Sequence, residues 1–556
     1  MARFDDKRRQ FLQFAAFGAA AAAWPGVMLA QAAKMSNAPS GTFKPDVEIE
    51  LTAREATVSL KRGATTKVFK YHGKLLKGSP ATLSELPGYL GPTLNLVRGQ
   101  KVRIIFYNQL PEPTVAHWHG IHVPQKMDGH PMYAINRGER YVYEFEVKNP
   151  AGTNWYHAHT HEMTATQVYQ GLAGLITISD EQEQKLELPG GAYDLPLVIQ
   201  DRRFTADNQL RYLQHGMQER IRGFLGDTIL INGQIDRTIP VKTRAYRLRV
   251  LNGSNSRIYK LGWEDGTPLT AIGTDGALLA KPETFPYIML APAERVELWV
   301  DFSGRELGSD LVLYSLDYHG VMPHMGGGMR GGRGGEDRRG GGMGMMGGGL
   351  AQGSKFPLVK FHIAEKTSES PQLPTTLASF KRLLDRDVAN PDKPIRIGLS
   401  MMHMSPELNH RSFELLAAAE SEKIPVNTIQ KIRIFQEDHG MRGGGRRGME
   451  DTADMSGRGG RRGGGMGMMM SMAHPIHLHG QQFQILSRLI KEQHGSGYET
   501  VKDGFINNGW KDTVLVMPGE EVTIIKPFQE YTGLFLYHCH NLEHEDMGMM
   551  RNFLVE

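Results

Sequence analysis

The sequence has 556 residues, of which 40% are hydrophobic and 22% are charged. This composition is typical of a soluble globular protein. The length is too great for one hydrophobic core and therefore indicates several domains. The formal net charge of +4 is too small to indicate nucleic-acid binding, and the single cysteine excludes an internal disulfide framework.

The first 32 residues are typical of an export signal. Arg8 and Arg9 precede an Ala-rich apolar run, and residues 30–32, "AQA", offer a small-residue cleavage site. The alternative is an anchoring helix, but Gly18 and Pro25 interrupt the run. We therefore expect residues 1–32 to be a twin-arginine signal peptide and the mature protein to be periplasmic. No later segment is long and apolar enough to predict a membrane span.

Beyond residue 43, short apolar runs are separated by Gly, Pro and Asn, a pattern that favours β-sandwich domains. One strand pattern recurs three times, as "KVRIIFYN" from Lys101, "YRLRVLN" from Tyr246 and "QKIRIFQ" from Gln430. Such a repeat indicates three related domains. We predict them at residues 43–182, 190–365 and 393–556.

A second repeat indicates which of these domains bind metal. The stretches "WYHAH" from Trp155, "LYSLD" from Leu313 and "LYHCH" from Leu536 align on their tyrosines. The middle copy has Ser315 and Asp317 where the other two copies have histidines. We therefore expect metal chemistry in the first and third domains and none in the second.

Two inserts of Gly, Met and Arg break the β pattern, at residues 322–349 and 439–472. Their low complexity allows three interpretations. Their thioethers could capture Cu(I), for which soft sulfur ligands are selective, or the inserts could form a lid over a metal site. An RGG-type nucleic-acid binder is a third reading of the same residues, but the export signal argues against it.

Eight histidines form four His-x-His pairs, in each of which one residue separates the two histidines. Residues i and i+2 of a strand share a face and residue i+1 points the other way. In "HCH", His538 and His540 would therefore face one metal site and Cys539 another. The eight histidines are His117, His119, His157, His159, His477, His479, His538 and His540.

The only cysteine lies in a pattern of its own. Cys539 is followed by His544 and Met549, and His474 precedes the third His pair. Two histidines, one thiolate and a weak thioether form the ligand set of a blue-copper site, whereas zinc prefers a set without the thioether. The first domain should lack such a site, because other residues stand at the positions that match Cys539, His544 and Met549. These residues are Ala158, Met163 and Val168.

The motifs "HWHG", "WYHAH", "HPIHLHG" and "HCHNLEHEDMGMM" resemble those of the multicopper oxidases, the family of laccases, bilirubin oxidases and bacterial cuprous oxidases. The resemblance covers about residues 45–556 and is closest to periplasmic cuprous oxidases, through "GLAGLITISD" and "GWKDTV". It implies an all-β fold of three cupredoxin-like Greek-key β-sandwich domains.

The resemblance also implies four copper ions: one type 1, one type 2 and two type 3. The type 1 ligands would be His474, Cys539, His544 and Met549. The type 2 ligands would be His117 and His477. One type 3 ion would be held by His119, His157 and His540, and the other by His159, His479 and His538.

Two carboxylates match positions on the family's proton path. Asp128 would lie near the type 2 site. Glu545, which follows His544 in the sequence, matches the second position on that path. The alternative for each is a solvated surface acid.

A substrate Cu(I) site is implied as well, with Met401 and Met472 at its methionine positions. The sequence departs from the family at the carboxylates of that site. Met470 stands where one Asp is expected, and the other position falls at or beside Pro406. Glu407 and Asp454 are possible replacements.

Together these features predict an enzyme that couples one-electron oxidation of Cu(I), of phenolic donors or of both to four-electron reduction of O2 to water. We expect it to act in copper tolerance, as a monomer. The alternatives are an exported copper-storage protein without turnover and a general laccase-like or bilirubin-type oxidase. Ligand-free relatives used in cell division are a further alternative, against which the complete ligand set argues.

Overall fold

A computed structural model describes the chain over five ranges: residues 38–320, 350–402, 405–437, 472–490 and 497–556. The predicted signal peptide lies outside the described residues. Both Gly/Met/Arg-rich inserts also lie outside them, except for Met472 at the end of the second insert.

The first part of the chain folds into two sheets, with strand orders β2-β1-β5-β7 and β3-β4-β9-β8-β6. Its elements are β1 (Val47–Val58), β2 (Thr66–Lys77), β3 (Leu83–Ser84), β4 (Thr93–Val97), β5 (Lys101–Asn108), β6 (Ala116–His117), β7 (Arg140–Glu146), β8 (Gly152–Ala158), α1 (Thr164–Gln170) and β9 (Ala173–Ser179), followed by α2 (Glu181–Gln184). Alternate residues of β1, such as Ile49 and Leu51, are buried in the core between the two sheets.

The middle part forms a seven-stranded sheet, β12-β11-β10-β14-β19-β16-β17, and a five-stranded sheet, β13-β21-β20-β15-β18. Its elements are β10 (Asp194–Arg202), α3 (Met217–Arg222), β11 (Thr228–Ile231), β12 (Gln234–Ile235), β13 (Thr238–Lys242), β14 (Ala245–Asn252), β15 (Tyr259–Trp263), β16 (Leu269–Thr274), β17 (Ala277–Phe285), β18 (Ile288–Leu290), β19 (Arg295–Asp301), β20 (Asp310–Ser315) and β21 (Phe356–Glu365). A separate apolar core, which includes Leu248 and Leu298, fills this sandwich.

The last part forms two five-stranded sheets, β23-β22-β25-β29-β27 and β24-β31-β30-β26-β28. Its elements are β22 (Ile395–Met402), β23 (Ser405–Leu408), β24 (Lys423–Ile424), β25 (Thr428–Gln436), β26 (His474–Leu478), β27 (Gln484–Ile490), β28 (Thr513–Val516), β29 (Glu520–Phe528), β30 (Gly533–Cys539), α4 (Leu542–Asp546) and β31 (Met550–Val555). The core of this sandwich includes Cys539 and Met549.

The repeated strand pattern occupies the same place in each sandwich. The three copies are β5, β14 and β25. Each pairs in parallel with the first strand of its sandwich, β1, β10 or β22. On its other side each pairs antiparallel with β7, β19 or β29. The prediction of an all-β fold of three β-sandwiches is confirmed, whereas the domain boundaries stay predictions.

The second repeat fixes the positions of the histidines. Its copies, β8, β20 and β30, each lie inside the second sheet of their sandwich. In the first sandwich His117 is directly opposite His157, and in the third His477 is opposite His538. The equivalent registers present the His pairs of the two sandwiches in the same way. None of the helices in the described part of the chain has the length and apolar character needed to cross a membrane.

Candidate metal centres

The four His pairs meet between the first and third sandwiches, and we call them the histidine cluster. The imidazole of His117 stacks on that of His479 with ring centroids 3.9 Å apart, and His119 stacks on His477 at 3.7 Å. Each stack therefore joins one histidine from either sandwich. Every member is at most 2% exposed: His117, His119, His157, His159, His477, His479, His538 and His540.

Three ring nitrogens converge at one end of the cluster. His538 Nε2 lies 3.1 Å from His479 Nε2 and 3.3 Å from His159 Nε2. His479 donates its Nδ1–H to Asp128 Oδ2 at 2.7 Å, which leaves its Nε2 with a lone pair. His538 donates its Nδ1–H to the Cys539 carbonyl at 3.2 Å, so its Nε2 carries a lone pair as well. Two lone pairs this close repel one another unless a cation lies between them, and neutral imidazole is a common metal ligand. These are the three histidines that the family resemblance assigns to one type 3 ion.

A second set of three histidines lies at the other end of the histidine cluster. His119 donates Nε2–H to Asp512 Oδ1 at 3.0 Å, and His157 donates Nδ1–H to the Ala158 carbonyl at 2.8 Å. Their remaining nitrogens face each other at 3.3 Å. The ring centroid of His540 lies 5.1 Å from that of His119 and 5.2 Å from that of His157. Both nitrogens of His540 are buried without a hydrogen-bond partner.

The two remaining histidines are a matched pair. His117 donates Nδ1–H to the Asp128 carbonyl at 2.5 Å, and His477 donates Nδ1–H to the Asp512 carbonyl at 2.8 Å. The Nε2 atom of each is buried without a hydrogen-bond partner. A carbonyl that fixes the tautomer of a histidine is the usual support of a metal ligand. The orphaned nitrogens therefore fit a metal ion that completes their coordination.

The surroundings keep these imidazoles neutral, as metal binding requires. Burial, reinforced by the neighbouring histidines, lowers the pKa of His117, His477 and His479 well below the ordinary value. Burial likewise lowers the pKa of His157 to about 4 and that of His159 to about 3.

The cysteine cluster, His474, Cys539 and His544, lies on the opposite side of β30. Cys539 Sγ is 3.5 Å from His474 Nδ1 and 3.8 Å from His544 Nδ1. Burial raises the pKa of the Cys539 thiol, so a thiolate at this position requires a cation beside it. Met549 is fully buried, and its carbonyl accepts the Cys539 N–H at 3.0 Å. A soft sulfur with two imidazoles fits copper.

Both predicted proton-relay carboxylates are buried, which excludes the alternative of solvated surface acids. Asp128 is 1% exposed, and its Oδ1 has no hydrogen-bond partner and lies 3.6 Å from His117 Nδ1. Burial raises the pKa of Asp128 well above its ordinary value. Glu545 Oε2 lies 3.1 Å from His538 Nδ1, and its Oε1 lies 3.6 Å from His159 Nδ1.

The two methionines of the implied Cu(I) site both belong to the third sandwich. Met401, in β22, is 6% exposed and opposite Pro406 of β23. Met472 is 7% exposed and immediately precedes Ala473 and the ligand candidate His474. Their role in binding substrate stays a prediction.

Sequence reasoning missed Asp512, which is the counterpart of Asp128. Its carbonyl accepts from His477 and its carboxylate from His119, as those of Asp128 accept from His117 and His479. Burial alone would raise the pKa of Asp512, but the Arg295 guanidinium lowers it to about 2. Arg295, at the start of β19, binds the carboxylate with contacts of 2.8 and 2.5 Å. The motif "GWKDTV" was the available signal, since Asp512 lies within it.

The second sandwich therefore supports the histidine cluster through one buried ion pair. We expect Arg295→Met to lower the free energy of unfolding by about 3–5 kcal/mol, because it leaves the Asp512 charge buried and unpaired. Urea denaturation of the copper-free protein measures this. The matched control is Arg305→Met, which removes a 2.7 Å pair with Asp265 that is 26% and 38% exposed and should cost at most about 1 kcal/mol. Equal losses in the two variants would contradict the prediction.

Comparison with known proteins explains this arrangement. Sequence models described as multicopper oxidase match residues 86–183 and 465–556. A multicopper oxidase of Staphylococcus haemolyticus is 30% identical over 474 residues, which are 85% of this chain and 84% of that protein. The chain belongs to the multicopper oxidase family.

Two further relatives agree with this multicopper oxidase assignment. A laccase of Bacillus stratosphericus is 29% identical over 87% of this chain and 90% of its own. The crystal structure of a McoA multicopper oxidase variant from Aquifex aeolicus superposes with a TM-score of 0.71 and 28% identity, covering 92% of this chain and 97% of that one. The three sandwiches are thus cupredoxin-like, and the protein is a copper-dependent oxidoreductase that uses O2.

Proposed function

We propose that this multicopper oxidase holds four copper ions, one at the cysteine cluster and three at the histidine cluster. The cysteine cluster with Met549 would hold type 1 copper, and His117 with His477 would hold type 2. One type 3 ion would lie among His119, His157 and His540, and the other among His159, His479 and His538. When bound, the ions supply four one-electron carriers, the number needed to reduce O2 to two waters.

The observation that carries the proposal is that two strands serve both clusters. In β30, the Cys539 side chain lies in the cysteine cluster while the adjacent His538 lies in the histidine cluster. In β26, His474 and His477 divide in the same way. Covalent backbone therefore connects the two clusters. A storage protein would have no need of this connection, whereas an oxidase that separates electron donor from O2 requires it.

Asp128 and Glu545 would handle the protons that O2 reduction consumes. Each is buried against a histidine of the cluster, Asp128 against His479 and Glu545 against His538. A carboxyl group within hydrogen-bond reach of the reacting atoms can act as a general acid or base. Asp128 has one oxygen free for this task, because only its Oδ2 is engaged by His479.

We infer that the donors are Cu(I) and phenolic molecules, and that the enzyme acts as a periplasmic monomer in copper tolerance. Support comes from the twin-arginine pattern at Arg8 and Arg9 and from the Met-rich inserts, whose soft thioethers favour Cu(I). The competing function is copper storage. Oxygen uptake by the copper-loaded protein, with Cu(I) and a phenol compared side by side, decides between them. No uptake with either donor would contradict the oxidase.

A second experiment tests delivery of Cu(I) by the third-domain insert. We expect replacement of the methionines within residues 442–470 by leucine to slow Cu(I) oxidation at limiting Cu(I), because leucine keeps the apolar bulk and removes the sulfur. Phenol oxidation should stay at the parent rate. Deleting residues 442–470 should additionally raise activity on bulky phenols if the insert covers the type 1 site. An unchanged Cu(I) rate in the Met→Leu variant would contradict delivery.

A further inference from the structure

A segment of the second sandwich lies on the outer edge of His544. The carbonyl of Ile221, in the last turn of α3, accepts the His544 Nε2–H at 2.9 Å. His544 is 0% exposed. A donor molecule therefore cannot touch this imidazole while the segment is in place.

The carboxylate next to His544 holds both ends of the segment. Glu543 Oε1 accepts the Tyr212 hydroxyl at 2.6 Å, and Glu543 Oε2 accepts the Phe224 N–H at 2.9 Å. Glu543 also accepts from Asn255 at 2.8 Å and is 2% exposed. We call residues 212–224 the cap.

An ion pair fixes the middle of the cap. Glu219 Oε1 accepts from Arg203 Nη1 at 2.7 Å, and Glu219 Oε2 accepts the His215 N–H at 3.0 Å. Arg203 also donates to the Leu225 carbonyl at 2.9 Å. Both charged side chains are only 11% exposed, so removing one partner leaves a poorly solvated charge and should loosen the cap more than the loss of an exposed pair would.

The space under the cap is small. A cavity of about 10 Å³ lies beside the cysteine cluster and is lined by residues that include Arg222, Leu225, Met472 and Asn541. That volume accommodates about one water molecule, whereas a cavity that binds benzene measures about 150 Å³. A phenol ring does not fit between the cap and the cysteine cluster.

We propose that the cap makes residues 212–224 the specificity-determining element of this oxidase and favours small one-electron reductants such as Cu(I) over bulky phenols. The inference rests on the proposed role of His544 as a type 1 ligand. Each Cu(I) oxidised to Cu(II) supplies one electron, and four electrons with four protons convert one O2 to two waters. The hydrogen bond between Ile221 and His544 provides the route from a donor on the cap surface, so Cu(I) needs no access to the imidazole itself.

The test compares Glu219→Gln with Glu365→Gln in the copper-loaded enzyme. Glu365 forms a 2.6 Å pair with Lys242 in the same sandwich and is 60% exposed. The donors are Cu(I) and a bulky disubstituted phenol. In Glu219→Gln we expect kcat/KM for the phenol to rise about tenfold, because conformations in which the cap has moved away from His544 become more populated. The kcat/KM for Cu(I) should stay within about twofold of the parent value. Glu365→Gln should change neither.

Amide hydrogen exchange across residues 216–224 reports whether the cap has loosened. Faster exchange without a gain for the phenol, or with equal gains for both donors, would overturn size selection. If exchange is unchanged, the double variant Arg203→Met/Glu219→Gln also removes the bond to Leu225. An unchanged donor preference in that variant would equally overturn the proposal. A parent enzyme that lacks the blue type 1 colour would instead refute the assignment of His544, so the two failures are distinguishable.

Discussion

Cys539→Ser is expected to abolish the blue colour of the copper-loaded protein and its oxidation of every donor. The serine oxygen is a hard ligand, and it cannot replace a thiolate between His474 and His544 in a site suited to copper. The histidine cluster faces the other side of β30 and should keep its copper. Visible absorption, copper content and oxygen uptake measure the three effects.

The first sandwich provides a matched control for this substitution. Ala158 stands opposite Ala116 in β8 as Cys539 stands opposite Ile476 in β30. Ala158→Ser therefore places the same hydroxyl at the equivalent position without touching the cysteine cluster, and should retain colour and turnover. A Cys539→Ser protein that stays blue would refute the type 1 assignment.

Asp128→Asn is expected to slow O2 reduction by about 10²–10⁴-fold, the usual contribution of a general acid or base. The amide oxygen can still accept the His479 Nδ1–H, so the imidazole keeps its orientation while the site loses a carboxyl group that can take up and release a proton. The cysteine cluster should be unaffected, because the two ligand candidates that Asp128 contacts, His117 and His479, both belong to the histidine cluster.

Rapid mixing separates reduction of the enzyme by the donor from its reoxidation by O2. Bleaching of the blue colour by an anaerobic donor should proceed at the parent rate in Asp128→Asn, and reoxidation by O2 should carry the whole loss. Parent-like reoxidation would reject the proton role. A slowed bleaching step would mean that the substitution disturbs the type 1 site instead.

Local pattern was sufficient to predict the strands and the residues that face a common site. The two-residue period of a strand places Cys539 and His538 on opposite faces, as found in β30. The internal repeat then separated the second sandwich, with Ser315 and Asp317, from the two that carry histidines. These inferences depend on neighbours in the chain or on the repeat, which a single sequence displays.

Contacts between sandwiches could not be predicted in this way. Asp128 contacts His479, and Arg295 contacts Asp512, although hundreds of residues separate the partners in the sequence. The hydrophobic periodicity of a sequence does not indicate which of its loops will be in contact. A lone Asp or Arg in a sequence is compatible with an exposed position as well as a buried one. The cap over His544 was missed for the same reason, since Ile221 contributes a backbone carbonyl and no side-chain signature.

The most direct test of four-electron chemistry is the ratio of donor oxidised to O2 consumed by the copper-loaded parent enzyme. With Cu(I) as the one-electron donor, four ions should be oxidised for each O2, and added catalase should release no O2 because water is the product. The proposed set of four copper ions with twelve ligands predicts this ratio. A ratio of two with release of hydrogen peroxide, or Cu(I) binding without O2 uptake, would contradict it.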